Sequence, residues 1–126
     1  MTDTAPTDRP PADHPAAPAP LLRLGDDWSP AEPGVTRRLV ARGTSLMAMQ
    51  VRFESGAAGA RHAHPHEQLT LVLSGRFRFV LGDTPHEISA GQSLAIPGGT
   101  EHEALALEAG ELLDMFSPVR EDLVGP

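Results

Sequence analysis

His62, His64 and His66 stand at every second position, and Gln68 keeps the same parity. If the stretch runs as a β-strand, all four side chains project from one face, because successive strand residues point to opposite sides. Imidazole nitrogens joined by an amide oxygen suit zinc, nickel, iron, manganese or copper better than calcium or magnesium. Chance alternation, or a solvated strand face, would give the same letters. A second segment separates the readings. Pro97-Gly98-Gly99 reverses the backbone tightly and places His102 at the start of a following strand, able to face back inward.

A further group lies near the C-terminus. Asp114 sits between Leu113 and Met115 on an otherwise apolar run and shares parity with Phe116, so both can point into an interior. Partial desolvation there raises a carboxyl pKa and suits it to proton transfer. The alternative role for Asp114 is a hydrogen bond to a ligand histidine or a turn amide. Arg120 can grip a carboxylate bidentately, or form a surface ion pair with Glu121 or Asp122. Arg37 and Arg38 are neighbours, so only one of them can reach a cavity.

The elements that must position these groups read as strands. From Val35 onward short strand-like runs alternate with Gly, Pro and Asp punctuation, and no segment sustains a helical period. Met47, Met49, Val51 and Phe53 share one face, with Gln50 and Arg52 on the other. Phe77, Phe79 and Leu81 repeat the pattern against Arg76 and Arg78, so each strand has one wet and one buried face. Turns fall at Gly82-Asp83-Thr84-Pro85, Ala90-Gly91 and Pro97-Gly98-Gly99, and Ser93 to Ile96 is a short strand between the last two. The fold class is all-β.

With 126 residues the chain is one domain. Aromatic residues make up 4% and tyrosine is absent, so Leu, Val, Ile, Met and Ala fill the core. A net charge of -7 argues against nucleic acid or an anionic membrane surface as partners. An anionic small molecule would need a local positive centre. No cysteine is present, and no apolar run is long enough for a signal peptide or a membrane helix, so the cytoplasm is the expected compartment. Residues 1–20 are a Pro/Ala-rich tail expected to be disordered, with an inert His14, and residues 21–126 form the domain, entered through Leu21, Leu22 and Leu24. Trp28 reads as a packing residue at a barrel edge or subunit contact, with a ligand cavity as the alternative.

Gly56, His62, His64 and Gly75 fit the first motif of the cupin family, with Gln68 where the family usually has Glu, and Gly91, Pro97, Gly99 and His102 fit the second, with Ala106 in place of its final Asn. The stretches HAHPHEQLTLVLSGRFRF, GVTRRLV with LMAMQVRF, and LLDMFSPVRED are similar to the small single-domain cupins of the KdgF type, which take part in pectin degradation. The resemblance covers about Trp28 to Leu123. It implies a double-stranded β-helix, or jelly-roll barrel, and a homodimer formed through an N-terminal strand or sheet edge.

The resemblance also implies roles. Carried over by position, His62, His64, Gln68 and His102 hold a divalent transition metal (Zn, Ni, Fe or Mn), with His66 outside the ligand set. Neutral imidazoles are required, so metal affinity falls below about pH 6. The amide of Gln68 leaves the cation's charge whole where a carboxylate would cancel one unit, which favours binding and polarising an anion over redox chemistry. Asp114, Phe116 and Arg120 take the catalytic positions: proton transfer, packing under a sugar ring, and a grip on a carboxylate. The implied substrate is a small anionic sugar acid, a 4,5-unsaturated uronate monosaccharide from polyuronate (pectin or alginate) breakdown, opened to the linear keto-uronate. Rival readings are another metal-dependent cupin enzyme (dioxygenase, cyclase or lyase) and a non-catalytic module that binds a small ligand.

Overall fold

Alternation decides where the core lies. A computed structural model describes residues 28–124, so the expected tail and the leucines at 21, 22 and 24 lie outside the described residues. Eight strands follow in order: β1 (Ser29–Glu32), β2 (Val35–Arg42), β3 (Met47–Phe53), β4 (Ala58–His62), β5 (Glu67–Leu81), β6 (Thr84–Ser89), β7 (Ser93–Ile96) and β8 (His102–Ser117). On β3 the sequence pattern holds, with Met47, Met49, Val51 and Phe53 only 1%, 3%, 8% and 5% exposed. Phe77 and Phe79 on β5 are buried in the same way, with Arg78 outward.

Two long strands organise the rest. β5 and β8 pair antiparallel from Glu67↔Ser117 to Leu81↔His102, and the register slips around Ser74 and Arg76. At that slip Gly75 has φ +82°, and a Cβ there would lie 2.5 Å from the Ala109 oxygen; a Cβ on Gly110 would strike the Ser74 carbonyl. Only residues without a side chain let the two backbones cross so closely. The bend splits each strand between two layers. In one, β1, β2 and β3 continue onto the far half of β8, the first half of β5 and β7. In the other, β4 joins the near half of β8, the second half of β5 and β6.

The inward side chains of both layers meet in one core. Met49, Val51, Phe53 and Leu112 from the first pack with Phe77, Phe79, Ile88 and Ala106 from the second. Phe53 and Phe77 cross it edge to face at 5.1 Å. This is the all-β class that the patterning predicts, arranged as the jelly roll that the resemblance implies, all antiparallel and almost free of helix. After β8 the chain returns over the barrel mouth, burying Val119, and the described residues close with a single helical turn, α1 (Glu121–Val124). Four residues carry no helical period, which is why the sequence pattern shows none. Trp28 lies on the outer face, with the guanidinium groups of Arg38 and Arg52 at 4.7 and 4.0 Å from its ring, so it is a packing residue and not part of the cavity. No helix among the described residues is long and apolar enough to cross a membrane.

Candidate metal centre

The alternating histidines do not lie on one strand. β4 ends at His62 and β5 begins at Glu67, so residues 63–66 form a loop. Pro65 explains the break, since it has no N–H for a ladder and restricts the backbone of the residue before it. Three separate devices then bring the ligand atoms together. His62 pairs with His102 across β4 and β8. The His64 loop is clamped by the Pro97-Gly98-Gly99 turn, where Gly99 N–H donates to the His64 carbonyl at 2.8 Å. Gly98 packs so tightly on Pro65 that an added Cβ would collide with its carbonyl.

One ring nitrogen each from His62, His64 and His102 can be chosen so that all lie within 4.8 Å of one another. The hydrogen bonds decide which nitrogens are free. Nδ1 of His62 faces the Ala60 carbonyl at 2.8 Å, Nδ1 of His64 faces the His66 carbonyl at 3.0 Å, and Nδ1 of His102 faces the Thr100 carbonyl at 2.8 Å. A carbonyl only accepts, so every Nδ1 carries the proton and, in the neutral ring, every Nε2 presents a lone pair. Nε2 of His102 is buried without a partner.

Gln68 adds a fourth lone pair. Its Oε1 lies 3.0 Å from His64 Nε2, acceptor against acceptor, while its Nε2 donates to Thr70 Oγ1 at 2.9 Å. Thr70 in turn donates to Asp114 Oδ1 at 2.7 Å. Convergent acceptors with no donor among them are what a cation satisfies. The residues therefore fit a transition-metal ion, and the three-histidine group is able to hold one. Burial lowers the pKa of His64 and of His102, so both rings stay neutral to a lower pH than a free imidazole.

Around this cluster the barrel encloses a cavity of about 660 Å³ including its open mouth. His62, Gln68, His102, Asp114, Phe116 and Arg120 all line it. Asp114 keeps some surface toward the cavity but lies deep in the barrel, and burial pushes its carboxyl up to about 6 against the pull of the Thr70 and Gln68 hydrogen bonds. Phe116 is 4% exposed and meets the His64 ring edge-on at 5.6 Å. Arg120 stacks 5.1 Å over Phe116, and its Nε and Nη2 donate to the two Asp122 oxygens at 3.3 and 2.7 Å. Of the two readings of Arg120, the ion pair with Asp122 is the one present, and the side chain also lines the cavity. Glu67 is exposed, and His66 contributes its carbonyl to orient His64 rather than joining the group of three.

Sequence reasoning missed Thr70. It is fully buried and joins the Gln68 amide to the Asp114 carboxyl. The signal was present, since Thr70 continues the parity of residue 68 and pairs with Asp114 in the β5–β8 register.

Comparison with known proteins agrees with this geometry. A cupin domain family model matches residues 49–116. KdgF from Halomonas sp. is 39% identical, with 78% of this chain and 91% of that one covered at a TM-score of 0.75. An RmlC-like cupin from Shewanella frigidimarina is 33% identical over 77% of this chain and 87% of that one, at a TM-score of 0.74. The cupin domain of Cnp3 from Schizosaccharomyces pombe, 13% identical over 75% and 69% of the two chains with a TM-score of 0.67, shares the fold alone. No curated protein matches the chain. Fold, motif residues and relatives agree, and the chain belongs to the cupin family, as a small cupin that resembles KdgF.

Proposed function

We propose that the protein is a metal-dependent enzyme that opens the ring of 4,5-unsaturated uronate monosaccharides to linear keto-uronates, as a step in polyuronate (pectin or alginate) degradation. The observation that carries this reading is the pairing of Asp114, held at about 6, with a cluster of lone pairs in the same cavity. The likeness to KdgF supports the choice of substrate. The ligands are His62, His64, Gln68 and His102.

Asp114 has the value a general base needs near neutral pH. Its carboxylate accepts the proton of the anomeric hydroxyl, and the electrons of that O–H bond form the new aldehyde carbonyl. The bond between the anomeric carbon and the ring oxygen breaks, and the ring oxygen leaves as an enolate conjugated with the substrate carboxylate. Return of the proton to the ring-opened carbon at position 4 gives the 5-keto acid. Atoms and electrons balance as an isomerisation, with no redox partner. Thr70 holds Asp114 by one oxygen and leaves the other for the sugar. Phe116 gives the ring an apolar floor, and Arg120, fixed by Asp122, supplies positive charge beside it. A bound divalent ion would stabilise the negative charge that develops on the enolate oxygen.

The test is incubation of metal-loaded protein with unsaturated galacturonate or mannuronate freshly released by a lyase. Ultraviolet absorbance of the conjugated alkene should fall much faster than in buffer. Tight binding without turnover would instead favour a ligand-binding module, and oxygen consumption with iron bound would favour a dioxygenase.

A further inference from the structure

The cavity contains a second arginine that the chemistry above does not use. β2 directs Val35, Arg37 and Leu39 to one side, and Arg37 sits in register with Val51, a core residue 8% exposed. Its neighbour Arg38 takes the opposite face, where Nε donates to Gln50 Oε1 at 2.9 Å and the guanidinium stacks on Trp28. The choice that parity leaves open is settled by the partner strand: Arg37 lines the cavity together with the His62 and His102 rings and Asp114.

Arg37 differs from the other described arginines. Each of those meets a carboxylate or carboxamide oxygen, but the Arg37 side chain has no hydrogen bond or ion pair among the described residues. The acids lining the same cavity are already engaged. Glu32 accepts from the Ala60 N–H with both oxygens at 3.1 Å, Glu103 pairs with Arg61 at 3.2 Å, and Asp114 holds Thr70. A half-buried guanidinium with all its donors open, inside a protein of net charge -7, is a receptor for an anion.

Arg120 is less free to play that part, because its Nε and Nη2 edge is committed to Asp122. We infer that Arg37 is the residue that grips the substrate's carboxylate in a bidentate pair and gives the site its preference for sugar acids over neutral sugars. Arg120 then serves as a fixed positive wall over Phe116. This inference rests on the reading of the cavity as a uronate site.

Three forms test it, each metal-loaded: wild type, Arg37→Gln and Arg37→Lys. With unsaturated galacturonate, Arg37→Gln should raise KM about tenfold or more while kcat stays within about threefold, and Arg37→Lys should recover part of the loss, since an ammonium keeps the charge but not the fork. Melting temperature and metal content should match wild type. A KM for Arg37→Gln within about twofold of wild type, or a loss confined to kcat, would overturn the assignment. A second readout needs no turnover: calorimetric binding of galacturonate and of galactose. Wild type should prefer the acid by about tenfold, and Arg37→Gln should lose that preference. If wild type binds galacturonate selectively but does not open the unsaturated sugar, the proposed reaction fails and the anion site stands. If the preference survives in Arg37→Gln, or wild type shows none, the anion site fails whatever the enzyme turns over.

Discussion

The two ends of the barrel are laid on the same pair of strands and bury their side chains equally well, yet they use that burial in opposite ways. Near the bend, Phe77 is 0% exposed and finds its partner in the Phe53 ring. At the mouth, Thr70, His102, Gln68 and His64 are 0%, 3%, 5% and 7% exposed. Burying an apolar ring stabilises the fold, whereas burying a polar group costs free energy unless a partner is present. The mouth's partners run as one chain, from Gln68 through Thr70 to Asp114, and they leave lone pairs on the other side unmet. One end is therefore built for stability, and it holds the other in an arrangement that would not persist alone.

Asp114→Asn gives the largest contrast. It should keep the fold and the metal but lower kcat by about 10²- to 10⁴-fold, the range for loss of a general base. In wild type the rate should rise as pH climbs through about 6 or somewhat lower, because the ionised form accepts the proton and a bound cation favours ionisation. The same substitution should raise the melting temperature of the metal-free protein at pH 8. With a folded-state value above the unfolded one, Asp114 contributes stability that is present below about pH 4 and lost as pH rises through about 6. An Asn escapes that loss, a gain on the order of 2 kcal/mol. A variant equally active, or less stable at pH 8, would break the contrast between the ends.

Phe77→Ala tests the other end. Denaturant unfolding should show a loss of about 3 to 5 kcal/mol, because the ring sits in the centre of a close-packed core. A loss below about 1 kcal/mol would mean that the bend is not where the stability lies.

Smaller effects sharpen the boundary between them. Gly98→Ala should weaken metal binding about 10- to 100-fold and also lower stability, since the added methyl group collides with the Pro65 backbone carbonyl and moves the His64 loop. Thr70→Val keeps the shape and removes the hydroxyl, so Gln68 loses its orienting acceptor and Asp114 its donor. A loss of about tenfold in kcat/KM is expected, with a loss of about 1 to 3 kcal/mol in denaturant unfolding because the buried Gln68 amide is left without its acceptor. Unchanged kcat/KM would show that the chain of hydrogen bonds only fills space.

Much of this was legible in the sequence wherever period two survives. Met47 to Phe53, Phe77 with Phe79, and Asp114 with Phe116 all face as their alternation requires, since each lies in an unbroken stretch of paired strand. His62 to His66 imitate the same pattern without being a strand, because Pro65 cannot join a ladder. Their convergence comes instead from a contact about thirty residues away in sequence, between Gly98 and the Pro65 carbonyl, which no local pattern encodes. Thr70 stayed hidden because a buried threonine reads like any β-branched strand residue. Arg37 and Arg38 could not be separated, as facing is fixed by the partner strand, here Val51 opposite Arg37.

The central claim is that three imidazole nitrogens and one amide oxygen converge on a cation. Elemental analysis after dialysis against zinc, nickel, manganese or iron(II) tests it most directly, on wild type and on His102→Ala. One ion per chain in wild type and none in the variant is the predicted result. Wild type that retains no ion, or a variant that retains as much as wild type, would contradict it.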